Sequence, residues 1–94
     1  MITNKDIRLS VFFPAYYDEK NIDKVVNKAV EVLEELQLKD YEITIIEDGS
    51  PDKTDEVADN LAKLHPKVKV IHHEQNKGYG ATLWEGFSTA RFEY

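Results

Sequence analysis

Residues 43–54 constrain the fold of this 94-residue chain more than any other stretch. They begin as an apolar, β-branched run and stop at an acidic pair, a glycine and a serine, after which a helix-like pattern starts. A buried strand that leads directly into a helix is typical of parallel α/β sheets, in which ligands bind beyond the carboxyl ends of the strands. Asp48 would lie at that edge, and Gly49 permits the tight turn that follows it.

The helix after this turn has two candidate caps. Ser50 would cap it if Pro51 occupied the first helical position, where proline is favoured. Asp52 is the other candidate, because its carboxylate can also accept hydrogen bonds from the first helical turn. The sequence leaves both open. Asn21 is predicted to cap the preceding helix.

A strand followed by a helix occurs three times along the chain. Apolar runs predict strands at Leu9–Phe13, ended by Pro14, at Glu42–Ile46 and at Val68–Ile71. Helical periodicity predicts helices from Asn21 to about Leu38, from Thr54 to His65, and from Gly80 onward. The alternation predicts an α/β fold, with a parallel three-stranded sheet between two layers of helices and right-handed crossovers.

The spacing of apolar residues predicts which face of each helix is buried. In the first helix these residues are Ile22, Val26, Ala29, Leu33 and Leu36, with Val25 and Val32 widening the stripe. In the second they are Val57, Ala58, Leu61 and Leu64, and in the third Leu83, Phe87 and Ala90, with Trp84 beside them. Trp84 and Phe87 are therefore interpreted as core residues and not as a platform for stacking a base.

Composition excludes several classes of function. The chain has 12 basic and 18 acidic residues and a net charge of −6, which argues against a nucleic-acid binder that needs a basic face. It has no cysteine for disulfides or metal sites, no apolar run approaching the ~20 residues that span a bilayer, and no signal-peptide core. We expect a soluble cytoplasmic chain, residues 1–94 forming one domain whose strand–helix rhythm stops before a fourth strand.

Three polar loops follow the three predicted strands, at residues 14–19, 47–54 and 74–80. Because the carboxyl ends of parallel strands share one edge, the loops should meet in a cleft. Its predicted lining is Tyr16, Asp18, Glu19, Asp48, Asp52, Asn76 and Lys77, with Gly78 and Gly80 allowing close backbone approach. The carboxylates could accept hydrogen bonds from a base or ribose, and Lys77 with the third helix's N-terminus would suit a phosphate. An equally open interpretation is that these are ordinary cap and turn residues.

Two other motifs are rejected as sites. Residues 78–83 begin like a dinucleotide-binding fingerprint, but Leu83 occupies the third glycine position and the motif follows the third strand instead of the first. His72 and His73 precede Glu74, yet neighbouring residues at a strand end point to opposite faces, so a metal chelate is not expected.

Three motifs resemble, in order and spacing, those of the family 2 glycosyltransferases. The first is residues 9–22 (Leu-Ser-Val-Phe-Phe-Pro-Ala-Tyr, then Tyr-Asp-Glu-Lys-Asn-Ile), and the second is residues 46–54 (Ile-Glu-Asp-Gly-Ser-Pro-Asp-Lys-Thr). The third is residues 76–83 (Asn-Lys-Gly-Tyr-Gly-Ala-Thr-Leu), with Gly86, Phe87 and Ala90 after it. The likeness covers residues 8–91 and is nearest to the dolichyl- or polyprenyl-phosphate sugar transferases.

The resemblance implies a GT-A fold, whose Rossmann-like first part binds the nucleotide of the donor. It implies an enzyme that transfers a sugar from a UDP- or GDP-linked donor to an acceptor such as a polyprenyl phosphate or a glycan. Asp48 would hydrogen-bond the base, and the loop of Lys77 and Gly78 would help close the site. By position, the nucleotide-binding residues would be Pro14, Tyr16, Asp18, Glu19, Asp48, Lys77 and Gly78.

The sequence departs from the family in two respects. Tyr17 stands where the family usually has asparagine. The family's Asp-x-Asp pair, which holds a divalent Mn²⁺ or Mg²⁺, comes just after a fourth strand, so the metal ligands, the catalytic base and the acceptor site are expected outside these residues. The resemblance therefore predicts no catalytic residue and no metal ligand here, and the 94 residues alone are expected to be inactive. Any membrane association, at the inner face, would involve other regions.

Two rival classes of function remain. One is a module that binds a nucleotide without chemistry. The other is a module that forms homo-oligomers through the open sheet edge and an apolar helix face. Oligomers insensitive to nucleotide would favour the second, whereas stabilisation by a nucleotide would favour the first or the enzyme.

Overall fold

The computed structural model describes all 94 residues and has three strands alternating with three helices. A short 3-10 helix at Asn4–Asp6 precedes the first strand. In chain order the elements are β1 (Arg8–Ala15), α1 (Ile22–Glu35), β2 (Asp40–Asp48), α2 (Thr54–Leu64), β3 (Val68–His73) and α3 (Tyr79–Thr89). None of the helices is both long and apolar enough to cross a bilayer.

The three strands form one parallel sheet in the order β1-β2-β3, so β2 lies at its centre. The register sets Ala15 opposite Glu47 and Asp48 opposite His73, which aligns the carboxyl ends of all three strands. His72 bonds to Asp59 of α2 and its neighbour His73 to Glu85 of α3. Successive strand residues point to opposite faces, so α2 and α3 cover opposite sides of the sheet. The predicted α/β/α fold is confirmed.

All three strands are longer than predicted, and β2 gains two residues at each end, including Glu47 and Asp48. β1 continues through Pro14, which pairs with Ile46, instead of ending there. Proline is tolerated because β1 is an edge strand of this sheet and needs a ladder on one side only. β3 includes His72 and His73, which lie beyond the predicted end of this strand at Ile71. Their pairing with Glu47 and Asp48 extends the ladder to the end of β2.

The face of the sheet under α1 and α2 holds the apolar core. Its buried members come from both helices and from alternate positions of the strands: Ala15, Ile22, Val26, Leu33, Tyr41, Ile43, Ile45, Ala58, Leu61 and Val68. Val25 and Val32, predicted to widen the α1 stripe, are 45% and 41% exposed. They lie outside the arc of α1 that meets the sheet and α2. Leu36 and Leu64 are also exposed, because α1 ends at Glu35 and Leu64 is the last residue of α2.

The opposite face, under α3, is covered differently from the prediction. α3 buries the small residues Thr82 and Gly86, and Gly86 lies directly against the Phe12 ring. This close approach turns the larger residues outward, so Trp84 and Phe87 are 75% and 72% exposed. Their assignment to the core was wrong, as was that of Ala90, which is exposed. Leu83 is half-buried.

A buried carboxylate lies at the amino end of β2 on this α3 face. Glu42 accepts hydrogen bonds from the Ser10 hydroxyl (2.6 Å) and from the Arg91 amide (2.7 Å), and it pairs with Lys69 (3.1 Å). Burial opposes its ionisation, but the bonds from Ser10 and Arg91 outweigh burial and lower its pKa from 4.5 to about 2. The charge therefore stays on the carboxylate and ties the segment after α3 to the sheet.

Candidate functional site

The loops after β1 and β2 are joined at the carboxyl edge of the sheet by three hydrogen bonds. Each bond runs from a backbone amide of the first loop to a side-chain oxygen of the second. Tyr17 N donates to Ser50 Oγ (3.1 Å), Asp18 N to Thr54 Oγ1 (2.7 Å), and Glu19 N to Asp52 Oδ2 (3.2 Å). This pairing satisfies amides that would otherwise need water and fixes the first loop over the start of α2.

The two open capping predictions are decided by the same contacts. Lys53 occupies the N-cap position of α2, but the Asp52 carboxylate accepts from Thr54 N (3.1 Å) and Thr54 Oγ1 (2.6 Å). Ser50 is bonded to the β1 loop instead, and Pro51 lies outside the helix. Asn21 does occupy the N-cap position of α1, although its side chain makes no capping bond.

Asp48 organises the other side of this edge. Its Oδ1 accepts from His73 Nδ1 (2.7 Å) and from Lys77 N (2.8 Å), and its Oδ2 accepts from Gly78 N (3.0 Å). Burial opposes ionisation of this nearly inaccessible side chain. The hydrogen bonds from His73, Lys77 and Gly78 nevertheless hold its pKa below the ordinary value. One carboxylate therefore connects the ends of β2 and β3 to the N-terminus of α3.

Gly49 lets the loops after β2 and β3 touch. Its backbone has φ +68°, and a Cβ added there would lie 2.5 Å from the backbone nitrogen of Asn76. A side chain would be strained by both the left-handed backbone and this contact. Glycine is therefore required at the position where the sequence predicted a tight turn.

A cleft of about 370 Å³ opens between the β1 end, Asp48 and the start of α3. Its lining is Pro14, Ala15, Tyr16, Asp48, Asn76, Gly78, Tyr79 and Thr82. Tyr16 and Tyr79 are 50% and 71% exposed, so each presents an aromatic surface to solvent beside the cleft. Aromatic rings with a few convergent polar groups are typical of sites for small molecules that carry a ring.

The predicted site residues fall into separate groups. Pro14, Tyr16, Asp48 and Gly78 share the cleft with Asn76. Asp18, Glu19 and Asp52 line a different depression of about 250 Å³, because the bonds to Asp52 and Thr54 draw that part of the loop over α2. Lys77 lies on the far side of its turn, in a depression lined by residues 72–77. The single cleft predicted from the sequence is thus divided.

Sequence reasoning missed five residues that shape this cleft. They are Ala15, Tyr79 and Thr82 in the lining, and the pair His73 and Glu85 behind it. The alternation of β3 carried a usable signal, because two more residues of strand would have placed His73 beside Asp48. Ala15 was missed because the strand was ended at Pro14. Thr82 and Glu85 carried no clear signal, since their burial depends on how closely α3 approaches the sheet.

The described side chains do not form a complete metal site. No group of three or more histidine or carboxylate side chains is placed to hold a metal ion. His72 and His73 point to opposite faces, where each is paired with two carboxylates. Asp48, the carboxylate of the cleft, already accepts three hydrogen bonds from the protein. The residues present therefore do not fit the divalent ion that the GT-A fold implies.

Comparison with known proteins identifies the family to which this chain belongs. The model of glycosyl transferase family 2 matches residues 10–94, and the chain belongs to that family. A solved mannosyltransferase from Pyrobaculum calidifontis, in complex with GDP-Man and Mn²⁺, superposes with a TM-score of 0.76. The superposition covers 94% of this chain and 26% of that one at 18% identity, which supports a shared GT-A fold.

Several curated relatives are dolichyl- or dolichol-phosphate sugar transferases. A dolichyl-phosphate beta-glucosyltransferase of Trichomonas vaginalis is 36% identical over 91 residues, which are 93% of this chain and 28% of that protein. The human dolichyl-phosphate beta-glucosyltransferase is 34% identical over 92% of this chain and 28% of its own length. A dolichol-phosphate mannosyltransferase of Pyrococcus furiosus is 33% identical over 89% of this chain and 23% of its own. The chain thus spans about a quarter of the length of these relatives.

Proposed function

We propose that this chain is the nucleotide-binding part of a glycosyltransferase that transfers a sugar from a nucleotide-sugar donor. The observation that carries the proposal is the cleft at the carboxyl edge, where Asp48 at the end of β2 comes together with Tyr16 and Gly78 from the loops after β1 and β3. This is the edge at which parallel α/β sheets bind ligands. Family membership and the match to dolichyl-phosphate sugar transferases support sugar transfer as the activity of the whole protein.

The cleft suits the nucleoside of the donor. Tyr16 offers a ring on which a base can stack, and Oδ2 of Asp48 carries one hydrogen bond from the protein, which leaves it able to accept another. The start of α3 lies beside the cleft, and a helix N-terminus favours an anionic diphosphate. We place the nucleoside against Tyr16 and Asp48 and the diphosphate towards Gly78.

The rest of the donor and acceptor chemistry belongs outside these residues in this proposal. The donor is a UDP- or GDP-linked sugar, and the acceptor is a polyprenyl phosphate or a glycan. A divalent metal, when bound, would neutralise charge on the donor diphosphate. Its ligands, the base that deprotonates the acceptor and any membrane attachment would come from other parts of the protein, at the cytoplasmic face. Of the predicted nucleotide-binding residues, Asp18, Glu19 and Lys77 would act at the margins of the cleft.

Thermal unfolding in the presence of UDP, GDP, UDP-glucose and GDP-mannose, with and without Mn²⁺, tests the proposal. A nucleotide at a hundredfold excess over its dissociation constant should stabilise the chain by ~2.7 kcal/mol. Tyr16→Ala should abolish the shift for the nucleotide that binds. Tyr17→Ala is the matched control, because Tyr17 is exposed on the same loop but does not line the cleft. The proposal fails if no nucleotide shifts the midpoint, or if both variants respond alike.

Self-association is a second candidate function, favoured by the exposed Trp84 and Phe87 on α3. A pair of aromatic residues about three-quarters exposed is a surface that a second copy could cover. Sedimentation of the chain and of a Trp84→Ser, Phe87→Ser variant tests it. Oligomers that disappear in the variant and ignore nucleotide would favour this candidate, and a monomer at all concentrations would exclude it.

A further inference from the structure

A buried histidine bridges two carboxylates behind the cleft. His73 ends β3, and its side chain is 3% exposed. Its Nδ1 lies 2.7 Å from Asp48 Oδ1, and its Nε2 lies 2.7 Å from Glu85 Oε1. Asp48 belongs to β2 and Glu85 to α3, so one imidazole ring connects three elements.

The geometry fixes the protonation of this ring. An ionised carboxylate only accepts hydrogen bonds, and a neutral imidazole has a single N–H to donate. With both carboxylates ionised, the two bonds require protons on both ring nitrogens, which makes His73 a cation. Burial of that cation is tolerable because it is paired on both sides.

The charges around His73 favour the same state. The charged groups that face it are Asp48 from β2, Glu85 from α3 and Lys77 from the turn between β3 and α3. The hydrogen bond to Asp48 contributes most, and together with Glu85 it raises the pKa of His73 against the opposing effects of burial and Lys77. Glu47, at the end of β2 on the other face, pairs with His72 instead.

We propose that His73, protonated on both ring nitrogens, is a positioning residue that holds the Lys77–Gly78 turn and the start of α3 in the shape that receives the nucleotide. This inference rests on the proposed function. Asp48 makes the connection, because it accepts hydrogen bonds from His73 Nδ1 and from the backbone amides of Lys77 and Gly78 at the same time. When His73 loses a proton, either Asp48 or Glu85 loses its donor, and the start of α3 is then held to β2 only by the amides of Lys77 and Gly78 on Asp48.

Glu85→Gln separates positioning by the charged ring from a merely structural role. The amide side chain that this substitution introduces can donate an N–H to Nε2 of a neutral His73, whose Nδ1–H still donates to Asp48. The bridge then persists without the second ring proton. The affinity of the cleft for the nucleotide sugar should therefore no longer depend on pH in this variant, although the packing of His73 is unchanged. His72→Gln is the matched control, because His72 is also paired with two carboxylates but lies on the α2 face.

The experiment measures two quantities between pH 6 and 8.5 in the wild-type chain and both variants. The first is the NMR titration of the His73 ring and the Gly78 amide. The second is the affinity for UDP-glucose or GDP-mannose, whichever binds, since their diphosphates do not titrate in this range. In the wild type and in His72→Gln, we expect the Gly78 amide to follow the His73 titration and the affinity to fall about tenfold as pH rises. Glu85→Gln should bind with an affinity that changes less than about twofold.

Three results would overturn the inference. One is a His73 ring that holds a single proton at pH 6. Another is a Gly78 amide that ignores the His73 titration, and the third is an affinity that falls with pH equally in Glu85→Gln and wild type. Absence of binding by the wild type at pH 6 would overturn the proposed nucleotide function instead. The coupling of His73 to the Gly78 amide would still be decided by the titration, which needs no nucleotide.

Discussion

The two faces of this small sheet are stabilised by different interactions. The face under α1 and α2 is apolar along most of its length, with Ile43 and Ile45 of β2 at its centre, and its only buried carboxylate is Glu47 at the carboxyl end of β2. The face under α3 carries charges at both ends of β2, where Glu42 pairs with Arg91 and Lys69, and Asp48 pairs with His73. Only a narrow band between these pairs is filled by small or apolar residues.

The difference separates the part of the sheet that stabilises the fold from the part that forms the site. Burial of apolar area on the first face stabilises the fold by an interaction that is not directional and does not depend on pH. The paired charges on the second face hold particular backbone atoms in place, because each carboxylate accepts amides as well as cations. The cleft lies at one end of that second face.

The largest effect is expected on the apolar face, from Ile45→Ala. Ile45 is fully buried, and its truncation leaves a cavity that should lower the free energy of unfolding by about 4 kcal/mol. Urea unfolding measures the loss. Val32→Ala is the control, because Val32 is 41% exposed and should cost less than about 0.5 kcal/mol. A similar loss in both variants would contradict the assignment of the core.

Asp48→Asn should be nearly as damaging on the charged face. It leaves His73 and Glu85 without the partner that completes their bridge, at a cost of about 3 kcal/mol. Asp59→Asn on the other side of the sheet is the matched change, since Asp59 is exposed and its bond to His72 should contribute less than about 1 kcal/mol. Equal unfolding midpoints for the two variants would show that burial of the His73 pair does not matter.

Acid should weaken the charged face at its other end. The lowered pKa of Glu42 means that its carboxylate stabilises the fold above pH 4.5, and that this contribution is lost as pH falls from 4.5 towards about 2. We expect the difference in unfolding free energy between wild type and Glu42→Gln to shrink by about 2 kcal/mol between pH 5 and pH 2. A difference that does not vary with pH would show that ionisation of Glu42 does not stabilise the fold.

Gly86→Ala should give the smallest effect. A Cβ at this position would collide with the Phe12 ring, so α3 or the ring must move. Overpacking should exceed the gain in helix propensity and leave a net loss of about 1 kcal/mol. The same change in a Phe12→Leu background should be neutral or stabilising. A loss of equal size in both backgrounds would show that the close approach of α3 is not the cause.

The comparison also explains how far the sequence could predict the fold. The apolar face was predictable because hydrophobic periodicity identifies large buried side chains, and Ile22, Val26 and Leu61 are buried as expected. The α3 face was not, because its helix buries Thr82 and Gly86 and exposes Trp84 and Phe87. Periodicity assumes that the largest apolar residues face inward, and a helix packed closely through small residues reverses that order.

The candidate site was predictable in its location but not in its grouping. Parallel strands determine that the loops of Tyr16, Asp48 and Gly78 meet at one edge, and the cleft contains all three. The sequence could not reveal that backbone amides bonded to Thr54 and Asp52 would separate Asp18 and Glu19 from that cleft. The predicted third strand also ended at Ile71, so the bridge from His73 to Glu85 could not be predicted.

Amide NMR mapping with UDP-glucose and GDP-mannose tests most directly whether the carboxyl-edge cleft is a nucleotide site. The account predicts saturable shifts, with one of the two ligands, for the amides of Tyr16, Asp48, Gly78 and Tyr79. Amides at the opposite end of the sheet, where Asn4 and Leu36 line another depression, should not respond. Shifts concentrated there or around Trp84, or no shifts at millimolar ligand, would contradict it.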